Sequence, residues 1–177
     1  IASELIFIEL ILAGQQNVVL RFIQKTKSNV EQVIARCSIN IFLSFTIIFI
    51  FFSFLPLEIY LSILAKDLKL EYLTLLIGSF FMAVINLNLN RLRKEDKVTQ
   101  YSSIRIFLQV IKFILCLFFM SIFENSLSYS LAVLVASSIA LFYAAVRWNI
   151  LSYISKISNY TYDFKYLLFG LPLMAHS

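Results

Sequence analysis

The chain has 177 residues, 60% hydrophobic and 14% charged, with 3 Gly, 2 Pro and a formal net charge of +5. An ordinary soluble domain carries about 25% charge, so a soluble or a disordered domain is excluded. A helix needs ~20 mostly apolar residues to cross ~30 Å of hydrocarbon, so this length holds five or six crossings and leaves no room for a water-soluble catalytic domain.

The first apolar stretch, Ile1 to Leu20, is broken only by Glu4 and Glu9 and reads as a span. Glu9 lies about 18 Å along a helix from Arg21, near mid-depth, with Gln16 two turns further on the same face. It is a candidate counter-charge for a buried cation, or a site for a coupling proton or sodium ion. Glu4, nearer the outer surface, reads as solvated. The second span is the charge-free run Cys37 to Leu57. Beyond it, Leu57, Leu61, Leu64 and Leu68 recur at helical spacing among charges, as in a short helix resting on the outer surface.

The third span, Tyr72 to Asn90, carries a stripe of Ser79, Ala83, Asn86 and Asn90 that reads as a packing surface. The fourth, Ile106 to Phe123, is apolar except for Lys112. Ser102, Arg105, Gln109, Lys112 and Cys116 follow one another at spacings of three and four, which puts them on one helix face. Lys112 sits ~15 Å above Ser102, roughly the midplane, and intramembrane charges usually face a protein interior or a wet cavity. The fifth span, Asn125 to Val146, carries Ser130, Ser137 and Ser138 as a weaker packing stripe. From Arg147 to Tyr166, Trp148, Tyr153, Tyr160 and Tyr162 mix with Lys156 and Lys165, as in a linker along the cytoplasmic face. The closing run Tyr166 to Ser177 reads as the start of a sixth helix. Because the chain opens on Ile1 and stops inside that run, it reads as a piece of a longer protein; no basic n-region and small-residue cleavage site precede the first apolar stretch, so a signal peptide is not the expected explanation.

The expected fold is therefore all-α, a polytopic transmembrane helix bundle of about five full spans plus the start of a sixth. Lys and Arg alternate between the loops. One set holds Arg21, Lys25, Lys27 and Arg36, then Arg91, Arg93, Lys94, Lys97 and Arg105, then Arg147, Lys156 and Lys165; the other holds only Lys66 and Lys69. The first set marks the cytoplasmic side and puts the first residue outside. The basic excess is thus explained without nucleic acid. Cys37, Cys116 and the lone His176 suggest neither a metal cluster nor a disulfide framework, and no cofactor is expected. The outer loops, Leu57 to Glu71 and Glu124 to Ser126, lack an acid, base or nucleophile constellation, so an enzyme such as a membrane glycan polymerase is not expected.

The order of motifs carries a resemblance. Gly14-Gln-Gln-Asn-Val-Val-Leu-Arg21-Phe closes the first span, Leu92-Arg-Lys-Glu-Asp-Lys-Val-Thr-Gln-Tyr101 closes a span pair, and Lys165-Tyr-Leu-Leu-Phe-Gly170-Leu-Pro172-Leu follows the linker. This order resembles the O-antigen and polysaccharide flippases of the multidrug, oligosaccharidyl-lipid and polysaccharide exporter superfamily. The resemblance implies helices two to seven of a two-lobe fold: residues 1–146 as five helices of the N-terminal lobe, 147–165 as the cytoplasmic interfacial linker, and 166–177 as the start of the C-terminal lobe. It further implies alternating access in the bacterial inner membrane. The implied cargo is an undecaprenyl-pyrophosphate-linked oligosaccharide, moved from the cytoplasmic to the outer leaflet among membrane lipids and in contact with other glycan-assembly proteins. Arg105, Lys112 and Gln109 would then meet the headgroup, with Arg21 near the cytoplasmic mouth. A lipid II or multidrug exporter of the same superfamily shares this topology, and a structural membrane subunit is the plain alternative.

Overall fold

The computed structural model describes residues 2–25, 30–54, 68–123 and 127–148. These residues form helices α1 (Ala2–Leu12), α2 (Gln15–Lys25), α3 (Val30–Phe54), α4 (Leu68–Lys94), α5 (Val98–Met120) and α6 (Leu127–Trp148), with no strand among them. Four of them, α3 to α6, are long and apolar enough to cross a membrane. The chain is thus an all-α bundle with the composition of a multi-pass membrane protein. The surface helix expected from Leu57, the linker beyond Trp148 and the helix start at Tyr166 lie outside the described residues, except that Leu68 to Leu70 open α4.

The first span departs from expectation. A single helix from Ile1 to Leu20 is replaced by two 11-residue helices joined at Ala13 and Gly14, whose φ angles are 44° and 70°. Gly14 adopts that left-handed conformation freely, whereas Ala13 costs roughly 1–2 kcal/mol. A break among buried residues must satisfy its own backbone groups. The Ala13 N–H donates to the Glu9 carbonyl at 2.9 Å, and the Asn17 N–H to the Gly14 carbonyl at 3.0 Å. The fully buried Gln15 amide donates to the Ala13 carbonyl at 3.3 Å and accepts from Asn40 of α3 at 3.1 Å. The run Gln15-Gln16-Asn17 therefore supplies a polar patch at the break that a continuous apolar helix would not need.

Helix α4 is the hub, in contact with every other helix and most extensively with α6. Small residues make this possible. Ser128, Ala132, Ala136, Ala140 and Ala144 of α6 repeat at every fourth position and are all buried. At Gly78 of α4 an added Cβ would stand 3.0 Å from the Leu134 backbone nitrogen, so the two backbones approach as closely as glycine allows. The Thr74 hydroxyl donates to Ser130 Oγ across the same interface at 3.0 Å. Helix α3 meets α4 through Phe45 on Phe80, with ring centroids 4.4 Å apart, and α1 wedges Phe7 edge-on against Phe52 and Tyr72.

Helix α5 is the most peripheral. Its buried residues are Ile104 and Leu108, and it is fastened to α6 by Phe107 stacked on Tyr143 at 4.2 Å. Its exposed face carries Ile106, Val110, Phe113, Leu117 and Phe118, matched on α3 by Phe42, Ile47, Phe51 and Phe54. Such apolar faces suit lipid contact. Helices α4 and α5 are joined by a tight turn in which Asp96 takes φ 55° and the Lys97 N–H donates to the Leu92 carbonyl at 3.0 Å. Glu95 is held there by Arg91 at 2.8 Å and Lys97 at 2.7 Å.

Candidate functional site

A cleft of about 570 Å³ opens between α1 and α2 on one side and α5 on the other, with α4 as its floor. Helix α5 contributes Tyr101, Arg105, Leu108, Gln109 and Lys112; α4 contributes Met82, Asn86, Leu89 and Asn90. From the opposite wall come Glu4, Leu5, Ile8 and Glu9 of α1 with Gln16 of α2, and Tyr129 of α6 lies at one end. The 3.6-residue period of α5 explains the asymmetry of that helix: one face carries Arg105, Gln109 and Lys112 into the cleft, and the adjoining face is apolar.

Lys112 does not stand alone. Its Nζ donates to both carboxylate oxygens of Glu4 at 2.8 Å, and it lies 5.1 Å from the centroid of the Tyr129 ring. The Tyr129 hydroxyl donates to Glu4 Oε2 in a very short hydrogen bond. Glu4 is only 3% exposed, so its reading as a solvated outer residue is overturned, and Lys112 takes its counter-charge from Glu4 and not from Glu9. The reason is one of register. Helix α5 starts at Val98, four residues before Ser102, so Lys112 stands ~21 Å from the N-terminal end of its helix, beyond the middle and level with the first turn of α1.

Glu9 lines the same cleft. Its two oxygens accept from Gln16 Nε2 at 3.4 and 3.3 Å, a contact that bridges the break between α1 and α2. Arg105 is exposed on the opposite wall, where its Nη1 donates to the Tyr101 hydroxyl at 2.5 Å. Gln109, between Arg105 and Lys112, is exposed toward the opening. Arg21, expected at the cytoplasmic mouth, is exposed on α2 and is not part of the cleft lining.

Four of the five residues singled out in the sequence, Glu9, Arg105, Gln109 and Lys112, thus meet in one cavity. Glu4, Asn86, Asn90, Tyr101 and Tyr129 join them without having been expected there. Asn86 and Asn90 carried a signal, since two amides one turn apart within a span are more polar than packing requires. Tyr129 carried none, because an aromatic near a span end is ordinary. No protein-family model matches the chain, and neither a curated protein nor a solved structure matches it.

Proposed function

We propose that this chain forms part of a flippase of the bacterial inner membrane. It would carry an undecaprenyl-pyrophosphate-linked oligosaccharide from the cytoplasmic to the outer leaflet by alternating access. The observation that carries the proposal is the polar cleft itself, set among helices whose outer faces are apolar. Ionisable residues at membrane depth are costly, by ~2.5–3.5 kcal/mol on insertion scales, and typically mark a substrate path. Amides and phenols such as Asn86, Asn90, Gln109 and Tyr101 suit the hydroxyl groups of a sugar, and Arg105 suits a phosphate through its planar array of donors.

Lys112 enters this reading differently from Arg105. Engaged with Glu4, it meets an anionic headgroup only by exchanging one partner for another, whereas Arg105 has no such exchange to make. The test is transfer of lipid-linked glycan in cells lacking their own flippase, at matched protein level. Arg105→Ala is expected to lose most transfer, Lys112→Arg to keep part of it and Lys112→Ala to keep little. Full transfer by Arg105→Ala would remove the residue on which phosphate recognition rests. A second reading, a multidrug exporter, is favoured by the balance of two carboxylates, Glu4 and Glu9, against two cations in the cleft. It predicts drug resistance that is lost in Glu9→Gln while glycan transfer is absent throughout.

A further inference from the structure

Glu9 and Arg105 line the same cleft and carry opposite charges. Among the described residues, no cation lies within ion-pair distance of Glu9 and no carboxylate lies within it of Arg105. This differs from the rest of the cleft and from the nearby turn, where Lys112 is paired with Glu4 and Glu95 with Arg91 and Lys97. Helices α1 and α5 are joined by the Glu4–Lys112 bridge and both line the cleft beside it. Glu9 is five residues, ~7.5 Å, along α1 from Glu4, and Arg105 is seven residues, ~10.5 Å, along α5 from Lys112. Both therefore line the cleft within about two helical turns of the bridge, on α1 and α5 respectively.

Two opposite charges held apart across a membrane cleft are each satisfied by a ligand carrying both signs. We infer that the cleft is a binding site for a zwitterionic phospholipid headgroup of the phosphoethanolamine class, with its phosphate on Arg105 and its primary ammonium on Glu9. The chemistry matches at both ends. Arg105 spends one donor on the Tyr101 hydroxyl and keeps the rest of its guanidinium fork for phosphate oxygens. Glu9 is contacted by Gln16 at the long distances of 3.3 and 3.4 Å, which leaves carboxylate lone pairs for the three N–H donors of an ammonium group. Asn86 lines the same cleft and offers amide donors and acceptors.

The surroundings assign the headgroup to a lipid. The cleft has an exposed apolar flank, with Leu5 and Ile6 of α1 each 58% exposed and Ile106 of α5 64% exposed, so acyl chains would lie along surfaces that already face hydrocarbon. The inference shares Arg105 with the proposed cargo site, so such a lipid would occupy the cleft between transport events and leave when cargo enters.

The experiment is native mass spectrometry of the purified protein, delipidated and then exposed to equimolar phosphatidylethanolamine, phosphatidylcholine and phosphatidylglycerol. Phosphatidylethanolamine is expected to be retained about tenfold better than phosphatidylglycerol, which lacks the ammonium, and better than phosphatidylcholine, whose quaternary nitrogen has no N–H. Glu9→Gln is expected to erase that preference while leaving phosphatidylglycerol binding intact. Arg105→Gln is expected to weaken all three, and Arg105→Lys to recover part of the loss. Equal retention of the three lipids by the parent, or an undiminished preference in Glu9→Gln, overturns the assignment. Displacement of the lipid by water-soluble phosphoethanolamine at the same concentration overturns it as well, in favour of a soluble zwitterion. Glycan transfer is read in a separate assay, so loss of either conclusion leaves the other standing.

Discussion

Glu4 and Lys112 are joined across the cleft from helices remote in sequence, and their energetics are those of a buried pair. Removing one partner leaves the other charge uncompensated at a cost of about 3–5 kcal/mol, whereas replacing both by neutral groups of similar volume is often close to neutral. Lys112→Ala is thus expected to lower the thermal midpoint in detergent sharply, and Glu4→Gln with Lys112→Met to recover most of the loss. If the double variant is as unstable as Lys112→Ala, the pair is not the source of the cost. The same comparison separates stability from transport, because a transport defect that persists in a stable double variant belongs to the cleft chemistry. This pairing was legible only in part. The sequence exposes Lys112 as an intramembrane cation that needs a partner, but the choice between Glu4 and Glu9 depends on the vertical register of α1 against α5. That register is set by where α5 begins in the turn after Lys94, which a charge-free run does not mark.

At the scale of helices, apolar runs mark the hydrocarbon rather than the helix. The run from Cys37 lies inside a helix that begins at Val30, because Arg36 ends the apolar stretch without interrupting the backbone ladder. The break at Ala13 and Gly14 was hidden for the converse reason, since the run continues across it. Two predictions belong here. Gly78→Ala would place a methyl 3.0–3.1 Å from the Leu134 backbone, and neither helix can yield without parting the Thr74–Ser130 contact. Overpacking of this kind costs about 1–3 kcal/mol against ~1 kcal/mol of gained helix propensity, so net destabilisation in thermal unfolding is expected. The α4–α5 turn supplies a pH dependence. Partial burial pushes the Glu95 carboxyl up, but the hydrogen bonds and charges of Arg91 and Lys97 outweigh it and hold the pKa below the ordinary carboxylate value. A group depressed on folding stabilises above its unfolded pKa and loses that contribution as pH falls through the folded one. Protection of the turn amides, relative to their intrinsic exchange at each pH, is therefore expected to be flat from neutrality to about pH 5 and to fall below it, modestly because the turn is partly solvated. Glu95→Gln should lower that protection at neutral pH and abolish its acid dependence.

For the molecule as a whole, the alternation of basic loops predicts an orientation with the α4–α5 turn, carrying Arg91, Arg93, Lys94 and Lys97, on the cytoplasmic side and the end of α5 near Ser121 outside. In that orientation the Glu4–Lys112–Tyr129 cluster would close the outer part of the cleft, with Arg105 and Glu9 lining the part nearer the cytoplasm. The arrangement is open to direct test, because both ends of α5 carry exposed residues, Asp96 and Ser121, at which a single cysteine is accessible to reagent. In a Cys116→Ser background, with Cys37 fully buried, Asp96→Cys is expected to react with a membrane-impermeant maleimide only after the inner face is exposed, and Ser121→Cys in intact cells. Labelling of Asp96→Cys from outside would invert the bundle. It would put the Glu4–Lys112–Tyr129 closure on the cytoplasmic side, and a cargo taken from the inner leaflet would meet the ion pair before it met Arg105. The labelling pattern therefore decides the order in which the groups of the cleft are encountered, which the geometry of the helices leaves equal in either direction.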